Sequence, residues 1–102
     1  MATNNPKRKD VVDDVVDVIH RTMKMFGRPK KNYTKADLKA DESISLARDL
    51  RLNGGVRSLM AIPYTKISKD KHKGASVTQK TSNKATTVKK AIDLVHKQAN
   101  DK

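Results

Sequence analysis

The stretch that decides the fold is DVVDDVVDVIHRTMKMF, residues 10–26, in which aspartates interrupt a run of β-branched residues. A half-buried β-strand would place apolar residues at every second position, and this stretch does not. Its apolar residues instead recur at steps of four, three, four and three, at Val12, Val16, Ile19, Met23 and Phe26. That spacing predicts an amphipathic helix over residues 10–26, because residues three and four apart share one helix face.

The ends of this stretch also fit a helix. Asp10 is a candidate N-cap, and acidic residues near the start with Arg21 and Lys24 near the end complement the helix dipole. Gly27 and Pro29 follow directly and are typical of a helix end. The helix-forming period therefore outweighs the modest cost of β-branched residues in a helix.

The apolar stripe of this helix has two alternative uses. It packs on other helices of a small bundle, or the same residues, Val12, Val16, Ile19, Met23 and Phe26, form the seam of a homodimer. The four-three spacing lasts two heptads, which is fewer than a coiled coil needs. An intertwined dimer would use the stripe for both purposes.

A second helix is predicted over residues 34–52. Thr34 and Asp37 have the spacing of a capping box, and Tyr33 and Leu38 that of a hydrophobic staple. Asp41 and its neighbours could restart the helix, so the sequence is compatible with one bent helix or with two short helices. Residues 53–55, Asn-Gly-Gly, are expected to end it through a glycine in the left-handed conformation.

Residues 46–64, LARDLRLNGGVRSLMAIPY, resemble a helix-turn-helix in part. Ala47 stands where that motif has a small residue, Gly54 or Gly55 supplies the turn, and a third helix over 56–62 would end at Pro63. This third helix is short and poor in the residue types that read base edges. A plain helical hairpin is therefore the preferred interpretation, and a helix-turn-helix regulator is the weaker alternative.

The last part of the chain is rich in lysine. Residues 64–90 hold eight lysines and one acid, a net charge of +7, among small polar residues. So few apolar groups predict a flexible Lys-rich segment. After it, Val88, Ile92 and Val95 form a second apolar stripe that predicts a helix over 87–99.

Together these patterns predict an all-α fold. We expect a small bundle of three to four helices, at 10–26, 34–52, 56–62 and 87–99. Residues 1–9 are expected to be a basic flexible N-terminus and 10–63 the helical core. Residues 64–85 are expected to be a linker or tail rich in Lys, Ser and Thr, and 86–102 to carry the C-terminal amphipathic helix.

Composition limits the function. The net charge of +12 and the pI of about 10.1 imply an anionic partner. The chain has no cysteine, which excludes disulfides and cysteine-based zinc sites. It lacks an apolar run of membrane-spanning length, so we expect no membrane partner and an intracellular, cytoplasmic location. PKRK, residues 6–9, resembles a nuclear-import signal, which implies a nuclear location in a eukaryotic host.

No catalytic or metal site is legible. His20, His72 and His96 are scattered, and none lies four residues from a carboxylate or another histidine. Asp13, Asp14 and Asp17 form an acidic cluster, which on an exposed helix face is typical of solubility and capping. We therefore expect no enzyme, no metal and no cofactor.

The preferred function is a small basic nucleic-acid-binding protein that contacts the phosphate backbone with little base readout. It would serve as an RNA-binding or DNA-packaging accessory of a cell, a phage or a virus. The alternatives are a structural component of a ribosome or virion, and an inhibitor or adaptor that binds an acidic protein surface. The candidate contact residues are Arg28, Lys30, Lys31, Arg48, Arg51, Arg57, Lys66, Lys69, Lys71, Lys73, Lys80, Lys84, Lys89 and Lys90.

Overall fold

The predicted first helix forms and is the longest of an all-α fold. The computed structural model describes residues 7–71 and 73–100, and within them the helices are α1 (Arg8–Phe26), α2 (Lys35–Ala40), α3 (Gly54–Leu59), α4 (Ala61–Lys71), α5 (Gln79–Lys84) and α6 (Val88–Asn100). Those ranges hold no strand, only an isolated bridge between Ser45 and Thr87. Of the predicted flexible N-terminus, residues 1–6 lie outside the described ranges, and Arg8 and Lys9 belong to α1, so the prediction is wrong for these two residues.

The apolar stripe of α1 lies in the core of a single copy of the chain. Val16, Ile19 and Met23 are buried, Val12 is half-buried against the core, and only Phe26 is exposed. This face of α1 packs against α6, α2 and α4. The structure therefore does not support the prediction of a dimer seam through these residues, because the bundle itself covers most of the stripe.

The start of α1 is tied to two other parts of the fold by Arg8. Its Nε donates to Asp93 Oδ1 of α6 at 2.6 Å, and its Nη1 donates to Glu42 Oε2 at 2.9 Å. The Arg8 guanidinium holds the pKa of Glu42 below its usual range. This ion-pair network joins α1, α6 and the loop that follows α2.

The predicted helix over residues 34–52 is wrong beyond Ala40. Its start is confirmed, since Thr34 and Asp37 form a capping box and Leu38 is buried. After Ala40 the Asp41 carboxylate accepts the Ser43 N–H at 3.1 Å, and the Asp49 carboxylate accepts the Ser45 N–H at 2.8 Å. Such local side-chain bonds give the backbone an alternative to the helix, and residues 41–53 form turns instead.

The predicted third helix over 56–62 also has different bounds. The Asn53 side chain accepts the Val56 N–H at 2.9 Å, so it caps the start of α3 instead of ending a helix, and Gly54 is the first helical residue. Pro63 lies in the first turn of α4, where its missing N–H is not needed, and α4 continues to Lys71. Because residues 41–53 are not helical, the first helix of the predicted helix-turn-helix is missing.

The segment 64–85 was expected to be flexible, and the structure differs there. It contributes most of α4 and all of α5, and it buries Tyr64, Ile67, Ala75, Val77 and Ala85. Two serines are buried as well, with their hydroxyls satisfied: Ser68 Oγ donates to Tyr64 O at 2.9 Å, and Ser82 Oγ donates to Arg57 O. Small polar residues can thus be buried between closely packed helices when their hydroxyls are hydrogen-bonded. Composition alone does not distinguish such residues from those of a flexible segment.

The C-terminal helix is confirmed almost to the residue. It was predicted over 87–99 and runs from Val88 to Asn100, with Val88, Ile92 and Val95 buried as the stripe predicted. Thr87 precedes it, and its hydroxyl accepts the Lys90 N–H at 3.1 Å. The helix packs against α1 and α4 and closes the core.

The ion pairs and caps of this fold predict that it is sensitive to acid. The pKa of Asp17 is lowered chiefly by the Lys35 ammonium, that of Glu42 by Arg8, and those of Asp37 and Asp49 by backbone N–H donors. The folded state therefore favours the charged carboxylates. Their contribution is present above the unfolded pKa of about 4 and is lost as the pH falls through the lower folded values.

We expect the urea midpoint of unfolding to fall steadily as the pH is lowered from about 6 to about 2.5. Circular dichroism at 222 nm measures this transition. The Glu42→Gln variant is the control: it should be less stable at neutral pH and should lose less stability on acidification. A midpoint that stays constant over this range would contradict the proposed role of the carboxylates.

Candidate nucleic-acid interface

Most acidic side chains form hydrogen bonds or ion pairs within the fold. Eight of the ten acidic residues in the described ranges accept a hydrogen bond or form an ion pair: Asp10, Asp13, Asp17, Asp37, Asp41, Glu42, Asp49 and Asp93. Five cations serve as their ion-pair partners: Arg8, Arg21, Lys30, Lys35 and Lys39. The other lysines and arginines of the described ranges form no ion pair with a described carboxylate, although Arg48 acts electrostatically on Asp49 and Lys89 on Glu42.

The structure leaves most of the predicted contact residues exposed. Twelve of the fourteen have exposed side chains and no ion pair with any described residue: Arg28, Lys31, Arg48, Arg51, Lys66, Lys69, Lys71, Lys73, Lys80, Lys84, Lys89 and Lys90. The exceptions are Lys30, which lies 3.4 Å from Asp49, and Arg57, which is half-buried.

Arg57 is used by the fold. Its Nε donates to Asn83 O of α5 at 2.9 Å, and its Nη1 donates to Leu52 O, just before α3, at 2.6 Å. Asn83 returns a bond from its side-chain amide to Gly54 O at 2.9 Å. These bonds hold α5 against α3, so the prediction that Arg57 contacts nucleic acid gives way to a structural role for this residue.

The turn after α1 brings two arginines together. At Gly27 a Cβ atom would lie 2.7 Å from Leu50 O and 2.9 Å from Met23 O, so a side chain does not fit there. This close approach lets the Arg28 N–H donate to Leu50 O at 3.2 Å and the Lys30 N–H to Asp49 O at 3.0 Å. Since Leu50 O belongs to the peptide that enters Arg51, the backbones of Arg28 and Arg51 are neighbours.

Arg48 and Lys84 join these arginines through the same loop. The Leu46 N–H donates to Thr86 O and the Leu52 N–H to Leu46 O, both at 2.8 Å, which places the loop 46–52 beside the chain that leaves α5. The Arg57 bonds set Lys84, next to Asn83, close to the same loop. We call Arg28, Arg48, Arg51 and Lys84 the basic junction.

Three of the other predicted residues have acidic or aromatic neighbours. Lys66 lines a furrow with Asp14, Asp17 and Asp70, so carboxylates lie near its charge. The Lys89 N–H donates to Glu42 O at 2.9 Å, which places it near another acid. Lys31 lies over the Tyr33 ring, 5.2 Å from its centroid. Lys66 and Lys89 therefore lie beside acidic residues, and we do not count them with the basic junction.

Two of the three aromatic rings are buried and are not available for stacking on bases. Tyr64 is fully buried in the core, and burial raises the pKa of its hydroxyl. Tyr33 is also buried, whereas Phe26 at the end of α1 is exposed beside Leu59 and Pro63. Proteins that bind single strands by stacking need exposed aromatic rings on their basic surface.

The four cations of the basic junction were predicted from the sequence, but the residues that position them were not. Gly27 was interpreted as a helix end, and Ser82 and Asn83 as part of a flexible segment. None of them belongs to a local pattern that indicates its tertiary partner. Their roles follow from contacts between parts of the chain about 25 residues apart, such as the bond from Arg57 to Asn83.

Other kinds of site have no support in the described ranges. They contain no group of three or more His, Cys, Asp or Glu side chains arranged to hold a metal ion, and His72 lies outside them. No helix among the described residues has the length and apolar character to span a membrane. Comparison of the chain with protein-family models, characterised proteins and solved structures finds no match.

Proposed function

We propose that this protein binds nucleic acid through the phosphate backbone, with little readout of base sequence, and that the basic junction is its main contact. The observation that carries the proposal is the excess of unpaired positive charge on the surface. The carboxylates are mostly occupied in caps and ion pairs, while twelve predicted cations are exposed without an ion-pair partner among the described residues. A polyanion supplies the missing counter-charges.

The basic junction suits phosphate contact because three of its four members are arginines. A guanidinium presents donors in a planar fork that matches the oxygens of a phosphate, whereas an ammonium acts as a point charge. The three arginines lie on one loop and the turn beside it, with backbone hydrogen bonds from Arg28 and Lys30 that hold the loop in place. A backbone that is already held in place loses less conformational entropy on binding.

Arg51 supports the same interpretation. It has a φ of 55°, in the left-handed region, and is the one residue other than glycine with positive φ in the described part of the chain. That conformation costs a residue with a side chain about 1–2 kcal/mol. The Arg51 side chain is exposed. Backbone strain of this kind is often retained where the side chain has a functional role.

Little base readout is expected because the arginine of the predicted recognition helix is used inside the fold. Two of the three aromatic rings are buried, and Arg57, which belonged to the predicted recognition helix, donates to backbone carbonyls inside the fold. Affinity should then depend on charge and vary little with sequence.

The test is a fluorescence-anisotropy titration with single- and double-stranded DNA and RNA of equal length at two salt concentrations. We expect binding at low salt that weakens steeply with salt, by about 0.9 log unit per log unit of salt for each phosphate neutralised on duplex DNA. The triple variant Arg28→Gln, Arg51→Asn, Lys84→Gln should bind at least about tenfold more weakly and show a smaller slope. Asparagine is chosen at position 51 because it tolerates positive φ.

A second triple variant, Lys35→Gln, Lys39→Gln, Lys97→Gln, is the matched control. It removes the same charge from other parts of the surface, and Lys35 and Lys39 are already paired with Asp17 and Asp13. It should bind much more tightly than the first variant. Equal loss in both variants would reject the basic junction as the main contact, and no binding of the native protein to any of the four nucleic acids would reject the function.

A further inference from the structure

One carboxylate lies among the arginines of the basic junction. Asp49 directly follows Arg48 and comes two residues before Arg51. The Arg28 N–H donates to Leu50 O, in the residue after Asp49, at 3.2 Å. If charge were the only requirement, an aspartate would be unfavourable here, because its carboxylate repels the phosphates that the arginines are proposed to bind.

Asp49 closes the turn that carries Arg48. Its Oδ2 accepts the Ser45 N–H at 2.8 Å, and its own N–H donates to Ser45 O at 2.9 Å. The Ser45 hydroxyl oxygen also accepts the Arg48 N–H at 3.0 Å. These bonds between one serine and two successive residues fix the backbone from which the Arg48 side chain extends.

The same aspartate joins this turn to the turn that follows α1. Its second carboxylate oxygen, Oδ1, lies 3.4 Å from Lys30 Nζ, and its backbone carbonyl accepts the Lys30 N–H at 3.0 Å. The next carbonyl along the chain accepts the Arg28 N–H. Asp49 thus connects the two chain segments that supply the arginines, through its backbone and through its side chain.

The environment of Asp49 favours its charged form. The carboxylate is half-buried, and the Ser45 N–H and then the Lys30 ammonium lower its pKa. A charged acceptor forms shorter and stronger hydrogen bonds than a neutral one. The two oxygens therefore hold their separate partners at neutral pH.

We infer that Asp49 positions the arginines of the basic junction for phosphate, so that an acidic residue promotes the binding of a polyanion. The inference rests on the proposed function of the basic junction. A guanidinium matches phosphate oxygens only in certain orientations, so its contribution depends on the backbone that carries it. Without the Asp49 side chain the two turns are less firmly joined, and their arginines lose more conformational freedom on binding.

Two variants with the same net charge separate positioning from charge. Asp49→Asn and Asp49→Ala each remove one negative charge, but asparagine keeps an oxygen that accepts the Ser45 N–H, and alanine does not. In anisotropy titrations with duplex DNA, Asp49→Asn should bind at least as tightly as the native protein, because it removes a repulsive charge and releases Lys30. Asp49→Ala should bind about fivefold more weakly than Asp49→Asn and show a smaller salt slope.

Asp41→Ala is the matched control. The Asp41 carboxylate accepts the Ser43 N–H at 3.1 Å, so this variant loses the same charge and the same kind of bond in a turn that carries no arginine. It should bind at least as tightly as the native protein. Equal weakening in Asp41→Ala and Asp49→Ala would overturn the inference.

Two further results would also overturn it. Equal affinity of Asp49→Ala and Asp49→Asn would mean that Asp49 acts by charge alone. Weaker binding of Asp49→Ala with the native salt slope would indicate only a smaller folded fraction, since the number of phosphates neutralised would be unchanged.

Amide hydrogen exchange in the absence of nucleic acid measures the positioning directly. The Arg28 and Lys30 N–H groups should exchange about tenfold faster in Asp49→Ala than in Asp49→Asn, while the amides of α6 keep their protection. Equal exchange of these two amides in both variants would reject the inference. A native protein that binds none of the nucleic acids would reject the proposed function and this inference together, whereas native binding with equal affinities of the variants would reject the inference alone.

Discussion

The Ile19→Asp variant is expected to be unfolded at neutral pH. Ile19 is fully buried in the middle of α1, in the cluster that joins α1 to α6, α4 and α2. An aspartate there must bury a charge or take up a proton, and it also leaves the volume of the isoleucine partly empty. The combined cost of several kcal/mol is comparable to the whole stability of a small domain, about 5–15 kcal/mol. Circular dichroism and a thermal melt measure the loss.

Phe26→Asp is the matched control for this prediction. It places the same charge on the same predicted stripe, at a position that is exposed. It should keep the helical signal and the melting transition of the native protein. If Ile19→Asp instead kept a cooperative melt and converted a native dimer to a monomer by sedimentation, the stripe would be a seam between copies and its place in the core would be wrong.

Arg57→Met is expected to have the second-largest effect on stability. Methionine keeps much of the length of the side chain but removes the donors to Asn83 O and Leu52 O. Each hydrogen bond from a charged donor contributes about 1.5–3 kcal/mol, and the carbonyls left behind are partly shielded from water. We expect a loss of about 2–4 kcal/mol in the free energy of unfolding, measured by urea denaturation.

The contrast with Arg28→Gln gives this prediction its control. Arg28 is exposed, and its backbone N–H, which any residue but proline retains, makes the bond to Leu50 O. Arg28→Gln should unfold at nearly the native urea concentration and bind nucleic acid more weakly. A stable Arg57→Met variant with altered preference for one base sequence would restore Arg57 as a reader of bases.

The sequence determined those elements whose partners are close along the chain. The four-three spacing in residues 10–26 and the stripe of Val88, Ile92 and Val95 each require only that one face of a helix be apolar, and both helices are present. The partners of the capping box, Thr34 and Asp37, are three positions apart, and the box is present as predicted. Exposure of the predicted cations also follows from the sequence, because a charged side chain is rarely buried without a partner.

The tertiary structure decided whatever depends on contacts between distant residues. The sequence of residues 41–53 continues the apolar spacing of a helix. In the structure the carboxylates of Asp41 and Asp49 accept backbone N–H groups and the chain turns, and its backbone then bonds to residues 86–89. Ser68 and Ser82 were predicted to be linker residues. In the structure Ser68 donates to a backbone carbonyl of α6 and Ser82 to one of α3. Arg57 is a residue type that often contacts nucleic acid, but in the folded chain it donates to the backbone carbonyls of Asn83 and Leu52. Local sequence sets which groups can bond, but only the folded chain brings their partners within about 3 Å.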